Sequence, residues 1–132
     1  MKTIITFGTF DVFHVGHVNI LERARNLGNK LIVGVSSDKL NYSKKNRYPI
    51  YSQDDRIRIV SSLRFVDEVF LEESLDLKDL YIREYNADTL VMGNDWVGRF
   101  DWVKEKTGCE VIYLERTPAI STTEVIEIVR KI

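Results

Sequence analysis

Residues 2–17 read Lys2-Thr3-Ile4-Ile5-Thr6-Phe7-Gly8-Thr9-Phe10-Asp11-Val12-Phe13-His14-Val15-Gly16-His17, and the change of character at Gly8 decides the fold. Up to Phe7 the run is dominated by β-branched and aromatic residues, the make-up of a short buried strand. From residue 17 to 27 the apolar positions change spacing. Val18, Leu21, Ala24 and Leu27 recur every third residue, which gathers them on one face of a helix, and Gly28 is the expected stop. A strand, a glycine-led loop and a helix make one βα unit, so the rest of the chain decides whether the unit repeats.

It repeats. Residues 31–36 form a second strand, nearly all apolar, as for a strand covered on both faces. Residues 37–51 are polar and read as a long loop. A helix begins at Ser52, where Asp55 completes a cap-like Ser-x-x-Asp start. Strands follow at 67–71, 89–92 (ending at Gly93) and 110–114, with helices at 75–85, 100–106 and 122–131. Strands alternating with helices imply right-handed crossovers. The fold class is therefore α/β: a Rossmann-like single domain over residues 1–132, with a parallel sheet of about five strands and helices on both faces. In such sheets ligands bind beyond the carboxyl ends of the strands, near the point where the strand order reverses. The loops at 8–17, 37–51, 93–99 and 115–121 should converge there.

Composition fits one soluble domain. The 132 residues are 44% hydrophobic and 30% charged, with seven glycines and two prolines, and no linker or repeat divides them. A formal net charge of −1 offers no global basic field for nucleic acid, although Lys44-Lys45-Asn46-Arg47 is a local basic run. Cys109 is the single cysteine, which excludes an intrachain disulfide and agrees with a reducing cytosol. No apolar stretch approaches the roughly 20 residues of a membrane span, and the first apolar run is too short for a signal segment. A cytoplasmic protein without a membrane partner is the expectation.

The chemistry concentrates in the first loop. Gly8 lets backbone approach a ligand closely, and Thr9 adds a hydroxyl and an N–H. His14 and His17, three residues apart, straddle a helix start, so both can face one point. Gly16 keeps that space free of a side chain. The helix N-terminus adds exposed N–H groups and a positive dipole end suited to phosphate. Capping or surface hydrogen bonding is the alternative reading of the two histidines. They are the chain's only histidines, and a closed zinc site needs about four ligands, so zinc is not expected.

The run from Gly8 to His17 resembles the signature of the cytidylyltransferase family, whose core is His-x-Gly-His. Arg116-Thr117-Pro118-Ala119-Ile120-Ser121-Thr122-Thr123 is similar to that family's second signature, Arg-Thr-Glu-Gly-Ile-Ser-Thr-Thr or -Ser. Arg64-Phe65-Val66-Asp67-Glu68-Val69 and Met92-Gly93-Asn94-Asp95-Trp96 also resemble family stretches, so the likeness covers essentially the whole chain. His-x-Gly-His alone is shared with pantetheine-phosphate adenylyltransferases and class I aminoacyl-tRNA synthetases. Three departures stand out: Pro118-Ala119 in place of Glu-Gly, Leu75 near a position where relatives often carry tryptophan, and Asn94 where aspartate is common.

The resemblance implies an enzyme that transfers CMP from CTP to glycerol 3-phosphate, giving CDP-glycerol and pyrophosphate, a precursor for wall teichoic acid or capsule. A phosphate monoester is already an anionic nucleophile, so catalysis reduces to in-line positioning and charge neutralisation. By that resemblance His14 and His17 meet the α- and β-phosphate oxygens, and Lys44 meets the α-phosphate and the acceptor. Arg116, Ser121 and Thr122 hold the outer phosphates, with Ser121 or Thr122 also capping the last helix. Gly8, Thr9, Phe10, Gly16, Gly93, Asp95, Thr117 and Ile120 complete the nucleotide site, Asp95 serving ribose or base. Asp11, Asp38 and Arg64 join Lys44 at the acceptor, although Asp11 is equally a turn residue and Arg64 a surface charge. Asp11 is also a candidate for orienting a magnesium water. Magnesium would be bound largely through the triphosphate. A homodimer is implied, with residues 64–69 as its candidate interface. Trp96 and Trp102 are expected to pack core or interface.

Other readings remain at this stage. They are another acceptor such as phosphoethanolamine or a polyol phosphate, an adenylyltransferase such as FAD synthetase, and a catalytically idle nucleotide-binding module. A nicotinamide-dependent oxidoreductase is weakened by the lack of Gly-x-Gly-x-x-Gly.

Overall fold

Ile4 and Ile5 are adjacent, fully buried, and belong to opposite faces of one strand, so this strand is covered on both sides. In the computed structural model, which describes residues 1–117 and 120–132, that strand is β1 (Thr3–Gly8). It lies at the centre of a five-stranded sheet of order β3-β2-β1-β4-β5, with β2 Lys30–Ser36, β3 Glu68–Glu72, β4 Thr89–Gly93 and β5 Glu110–Leu114. Every pairing is parallel, and Ile4 sits opposite Leu31 on one side and Thr89 on the other. The chain therefore runs outward through β2 and β3, then crosses β1 to add β4 and β5. The reversal between β1 and β4 is the switch point at which such sheets bind ligands.

Helices α1 (Val15–Arg25) and α3 (Gln53–Ser61) cover one face. There Leu21, Ala24 and Val60 pack with Ile4, Leu31, Val33, Val35 and Val91. Helices α4 (Lys78–Glu84) and α5 (Trp102–Thr107) cover the other, where Ile82 and Val103 meet Ile5, Phe7, Ile32, Leu90, Met92 and Cys109. The last helix, α6 (Thr122–Arg130), has no fully buried residue.

The structure differs from the sequence reading at several points. The segment read as a loop holds helix α2 (Asp38–Lys45), capped by Ser37, whose hydroxyl oxygen accepts from the Leu40 N–H. Helix α1 begins at Val15, earlier than expected, because His14 is its N-cap. Gly28 does not terminate α1; Asn26 does, in right-handed geometry. Gly28 instead passes under β1, where a Cβ would stand 2.7 Å from the Lys2 carbonyl oxygen. The helix expected over 75–85 is a 3-10 turn (Leu75–Leu77) followed by α4. Of the two tryptophans expected in core or interface, Trp96 packs against the core cluster and Trp102 is 37% exposed. The Pro118-Ala119 departure lies outside the described residues.

Candidate active site

A cavity of about 840 Å³ opens at the carboxyl ends of β1, β2, β3 and β4. Three of the four loops expected to converge supply its walls: the β1–α1 loop, the α2 segment, and the turn after β4 carrying Asp95 and Trp96. From the fourth region the start of α6 contributes Thr122 and Thr123.

The β1–α1 loop is shaped by close approach. A Cβ on Gly8 would fall 2.8 Å from the Phe10 ring, which folds back over the glycine. Phe10 and Val12 both have positive φ (56° and 45°), costly for residues with a Cβ and most so for a β-branched one. The strained path is held by Asp11. Its carboxylate accepts from the N–H groups of Val12 (3.0 Å), Ile50 (2.7 Å) and Tyr51 (2.9 Å). Its carbonyl accepts from the Thr122 hydroxyl at 2.8 Å. One residue thus ties the first loop to the segment after α2 and to the start of α6.

The two imidazoles are stacked, with centroids 3.9 Å apart, and Phe13 stacks on His17 at 5.1 Å. The backbone fixes both tautomers. His14 Nδ1 accepts from the Gly16 N–H (3.0 Å) and His17 Nδ1 from the His14 N–H (3.1 Å), so each neutral ring carries its proton on Nε2. Burial, then the neighbouring His14, lowers the His17 pKa to about 4, with Asp11 opposing; burial also lowers that of His14. Both rings are therefore neutral donors near pH 7. His17 lines the cavity; His14, stacked on it, is not among the lining residues, and its Nε2 is buried without a hydrogen-bond partner among the described residues. Gly16 makes room for this. A Cβ there would lie 2.7 Å from His14 Cε1 and 3.3 Å from Ile120 Cγ2.

Lys44, in the last turn of α2, donates to Ser36 Oγ at 3.2 Å. Burial brings its pKa down to about 8; Glu72 opposes the shift, and Lys45, Lys78 and Arg56 add to it. Thr9 lines the cavity with its hydroxyl donating to Asn41 Oδ1 at 3.0 Å. Asp95 lines the cavity beside Trp96, over whose ring the Arg99 guanidinium sits at 5.3 Å.

Other sequence candidates stand apart. Asp38 does not line the cavity, and its carboxylate pairs with Arg56 at 2.7 Å. Arg64 is exposed and precedes β3, so it lies towards the amino end of the sheet, away from the cavity. Arg116 and Thr117 line a separate recess with Asn19, Glu22, Arg23 and Glu115. Ser121 caps α6 by accepting from the Glu124 N–H at 3.1 Å. Gly93 ends β4 without lining the cavity; a Cβ there would make only ordinary contact with Ile20 at 3.7 Å.

Sequence reasoning missed three charged residues. Arg56 is fully buried and donates to the carbonyls of Tyr51 (3.0 Å), Thr9 (2.8 Å) and Ser36 (2.7 Å) as well as to Asp38, clamping the cavity's framework. Its signal was available: it precedes Val60 by one helical turn on the buried stripe of α3. Glu72 and Lys78, both buried, form an ion pair of 2.6 Å at the cavity floor. Glu72 ends an apolar run, a weak sign that a carboxylate is carried inward. Among the described residues no group of three His, Cys, Asp or Glu side chains could hold a metal ion.

A parallel α/β sheet whose switch-point cavity carries a neutral imidazole donor, a lysine and a helix start defines an anion-binding site of nucleotide type. The chain belongs to the cytidylyltransferase-like family, whose model matches residues 5–128. It is 45% identical to the glycerol-3-phosphate cytidylyltransferase of Bacillus subtilis over 127 residues, 96% of each chain. With the enzyme of the same description from Staphylococcus aureus it shares 43% over 125 residues, covering 95% of this chain and 92% of the relative. The fold matches the crystal structure of a lipopolysaccharide core biosynthesis protein from Thermoplasma volcanium with a TM-score of 0.79 at 23% identity, over 89% of this chain and 98% of that one.

Proposed function

We propose that this protein is a nucleotidyltransferase that transfers CMP from CTP to glycerol 3-phosphate, giving CDP-glycerol and pyrophosphate. The observation that carries this reading is the near-full-length identity to glycerol-3-phosphate cytidylyltransferases. All the cavity-lining residues except Arg130 fall inside the matched family span. An acceptor phosphate oxygen attacks the α-phosphorus, a new P–O bond forms, and the bond to the β-phosphate bridging oxygen breaks in line. The dianionic acceptor needs no general base, so the residues supply alignment and charge stabilisation.

His17, a neutral Nε2–H donor stacked on His14, bonds a phosphate oxygen as charge builds on it; its position in the cavity lining supports this role. The buried His14 Nε2, without a partner among the described residues, is a second donor in want of an acceptor. Lys44 reaches between the α-phosphate and the acceptor. The start of α6, with Thr122 and Thr123 at the cavity, receives the outer phosphates. Arg116 reaches them only if the nucleotide extends towards its recess.

Magnesium suits this site as a passenger on the triphosphate, neutralising its charge when bound. The oxygens of Asp11 and Glu72 are committed to protein donors, which leaves Asp95 as the cavity carboxylate able to hold a metal-bound water. No helix among the described residues is long and apolar enough to cross a membrane. A cytoplasmic, homodimeric enzyme is part of the same proposal.

Pyrophosphate release, measured with CTP or ATP against a panel of small phosphorylated alcohols, tests the reading. Release with CTP and glycerol 3-phosphate, reduced about 10²–10³-fold in His17→Ala, is the expected result. Preference for ATP or for another acceptor would overturn it.

A further inference from the structure

The Glu72–Lys78 pair has no part in the mechanism above, yet it lies at the cavity floor. Lys78 Nζ donates to Glu72 Oε2 at 2.6 Å, and the Ser36 hydroxyl donates to Glu72 Oε1 at 3.4 Å. Ser36 Oγ in turn accepts from Lys44 Nζ at 3.2 Å. A single carboxylate is therefore bonded to one lysine directly and to another through a hydroxyl. All four residues line the cavity.

Stability does not account for this arrangement. A buried ion pair is on average no better for stability than apolar side chains of the same volume, because desolvation cancels the attraction. The Lys78 ammonium sits 4.2 Å from the Phe7 ring centroid and 4.5 Å from that of Phe100, so two aromatic faces offset part of its desolvation but supply no counter-anion. Two ammoniums against one carboxylate also leave the wall with uncompensated positive charge, since the nearby Arg56 is already paired with Asp38. Such a wall is incomplete without a further anion.

We propose that Glu72 is the positioning residue of the acceptor-phosphate subsite, holding Lys44 and Lys78 at one wall so that together they receive the phosphate group of the acceptor. The inference rests on the reading that the acceptor is a phosphate monoester. Its chemistry explains the geometry: without the carboxylate, two desolvated lysines would repel each other and shed protons. Burial lowers both lysines, and Glu72 is the group that opposes the shift in each. Lys45, Lys78 and Arg56 push Lys44 further down.

The experiment compares wild type, Glu72→Gln and Ser36→Ala in two assays. The first is KM for glycerol 3-phosphate and for CTP between pH 6.5 and 8.5. The second is calorimetric binding of inorganic phosphate to the unliganded protein over the same range. Glu72→Gln should raise KM for glycerol 3-phosphate about tenfold at pH 8, with KM for CTP within about twofold of wild type. The ratio of variant to wild-type KM should shrink towards pH 6.5, where the lysines regain their protons, and phosphate affinity should fall in parallel. Ser36→Ala, which cuts only the Lys44 arm, should show the same pattern at about threefold. Equal loss for both substrates at every pH, or a lower melting temperature with unchanged KM and phosphate affinity, would overturn the proposal. If the wild type releases no pyrophosphate with glycerol 3-phosphate, the acceptor assignment fails, and the phosphate-binding arm alone decides the role of Glu72.

Discussion

His17 is kept neutral by burial and by the His14 ring against it, its pKa lowered from 6.5 to about 4. Below pH 6.5 the unfolded chain takes up a proton that the folded chain refuses, so stability falls with pH from 6.5 towards 4. The shift corresponds to about 3 kcal/mol over that window. Stability at pH 7 and pH 5, read from denaturant midpoints, should differ by about 2 kcal/mol, the part of that window above pH 5, and His17→Gln should flatten that part of the profile. Lys44 behaves in the opposite functional sense. In the proposed reaction its charge is the useful state, and burial brings its pKa to about 8, so kcat/KM for the acceptor should fall above pH 8 and Lys44→Met should lose that limb. Motif and residue type singled out His14, His17 and Lys44 in the sequence, and His17 and Lys44 line the cavity. Arg56, Glu72 and Lys78 were not legible there, because a sequence states charge and not burial, and charged residues are almost never buried unless paired. Their partners come from other elements: Asp38 for Arg56, and α4 for the end of β3.

Helix α2 shows why an element that positions a site can escape a reading of hydrophobic period. Its residues, Asp38 to Lys45, bury only Leu40 and Asn41, so no apolar stripe marks it. It is short enough that tertiary contacts, not propensity, hold it. The cap was present in the sequence as Ser37, and the same chemistry at Ser52 was read correctly because an amphipathic run followed it. Ser37 is 6% exposed, so removing its hydroxyl leaves the Leu40 N–H without a partner and without water. Ser37→Ala should therefore cost about 1–2 kcal/mol, the upper part of the range for N-caps. Because α2 carries Lys44, the same variant should raise acceptor KM more than CTP KM. Equal effects on the two would mean that α2 serves the framework alone.

The sheet order places the cavity at one end of the molecule and Cys109 at the other, at the amino end of β5. Cys109 is 3% exposed within the cluster of Leu90, Ile82 and Val103, and burial raises its thiol pKa to about 11. The thiolate is the reactive form, so the folded protein should resist thiol reagents at pH 8 and label only when that core opens. The cluster spans β1, β2, β4, α4 and α5, so it opens with the molecule as a whole and not as a local fray. Ligand binding at the far end must then slow labelling through mass action alone. CTP at 100 times its Kd stabilises the folded state by about 2.7 kcal/mol and should slow Cys109 modification about 100-fold. A labelling rate that ignores saturating CTP would mean that the α4–α5 layer opens independently of the β1–α1 cavity. The two faces of the sheet, which share β1 through Ile4 and Ile5, would then be separate cooperative units despite their common strand.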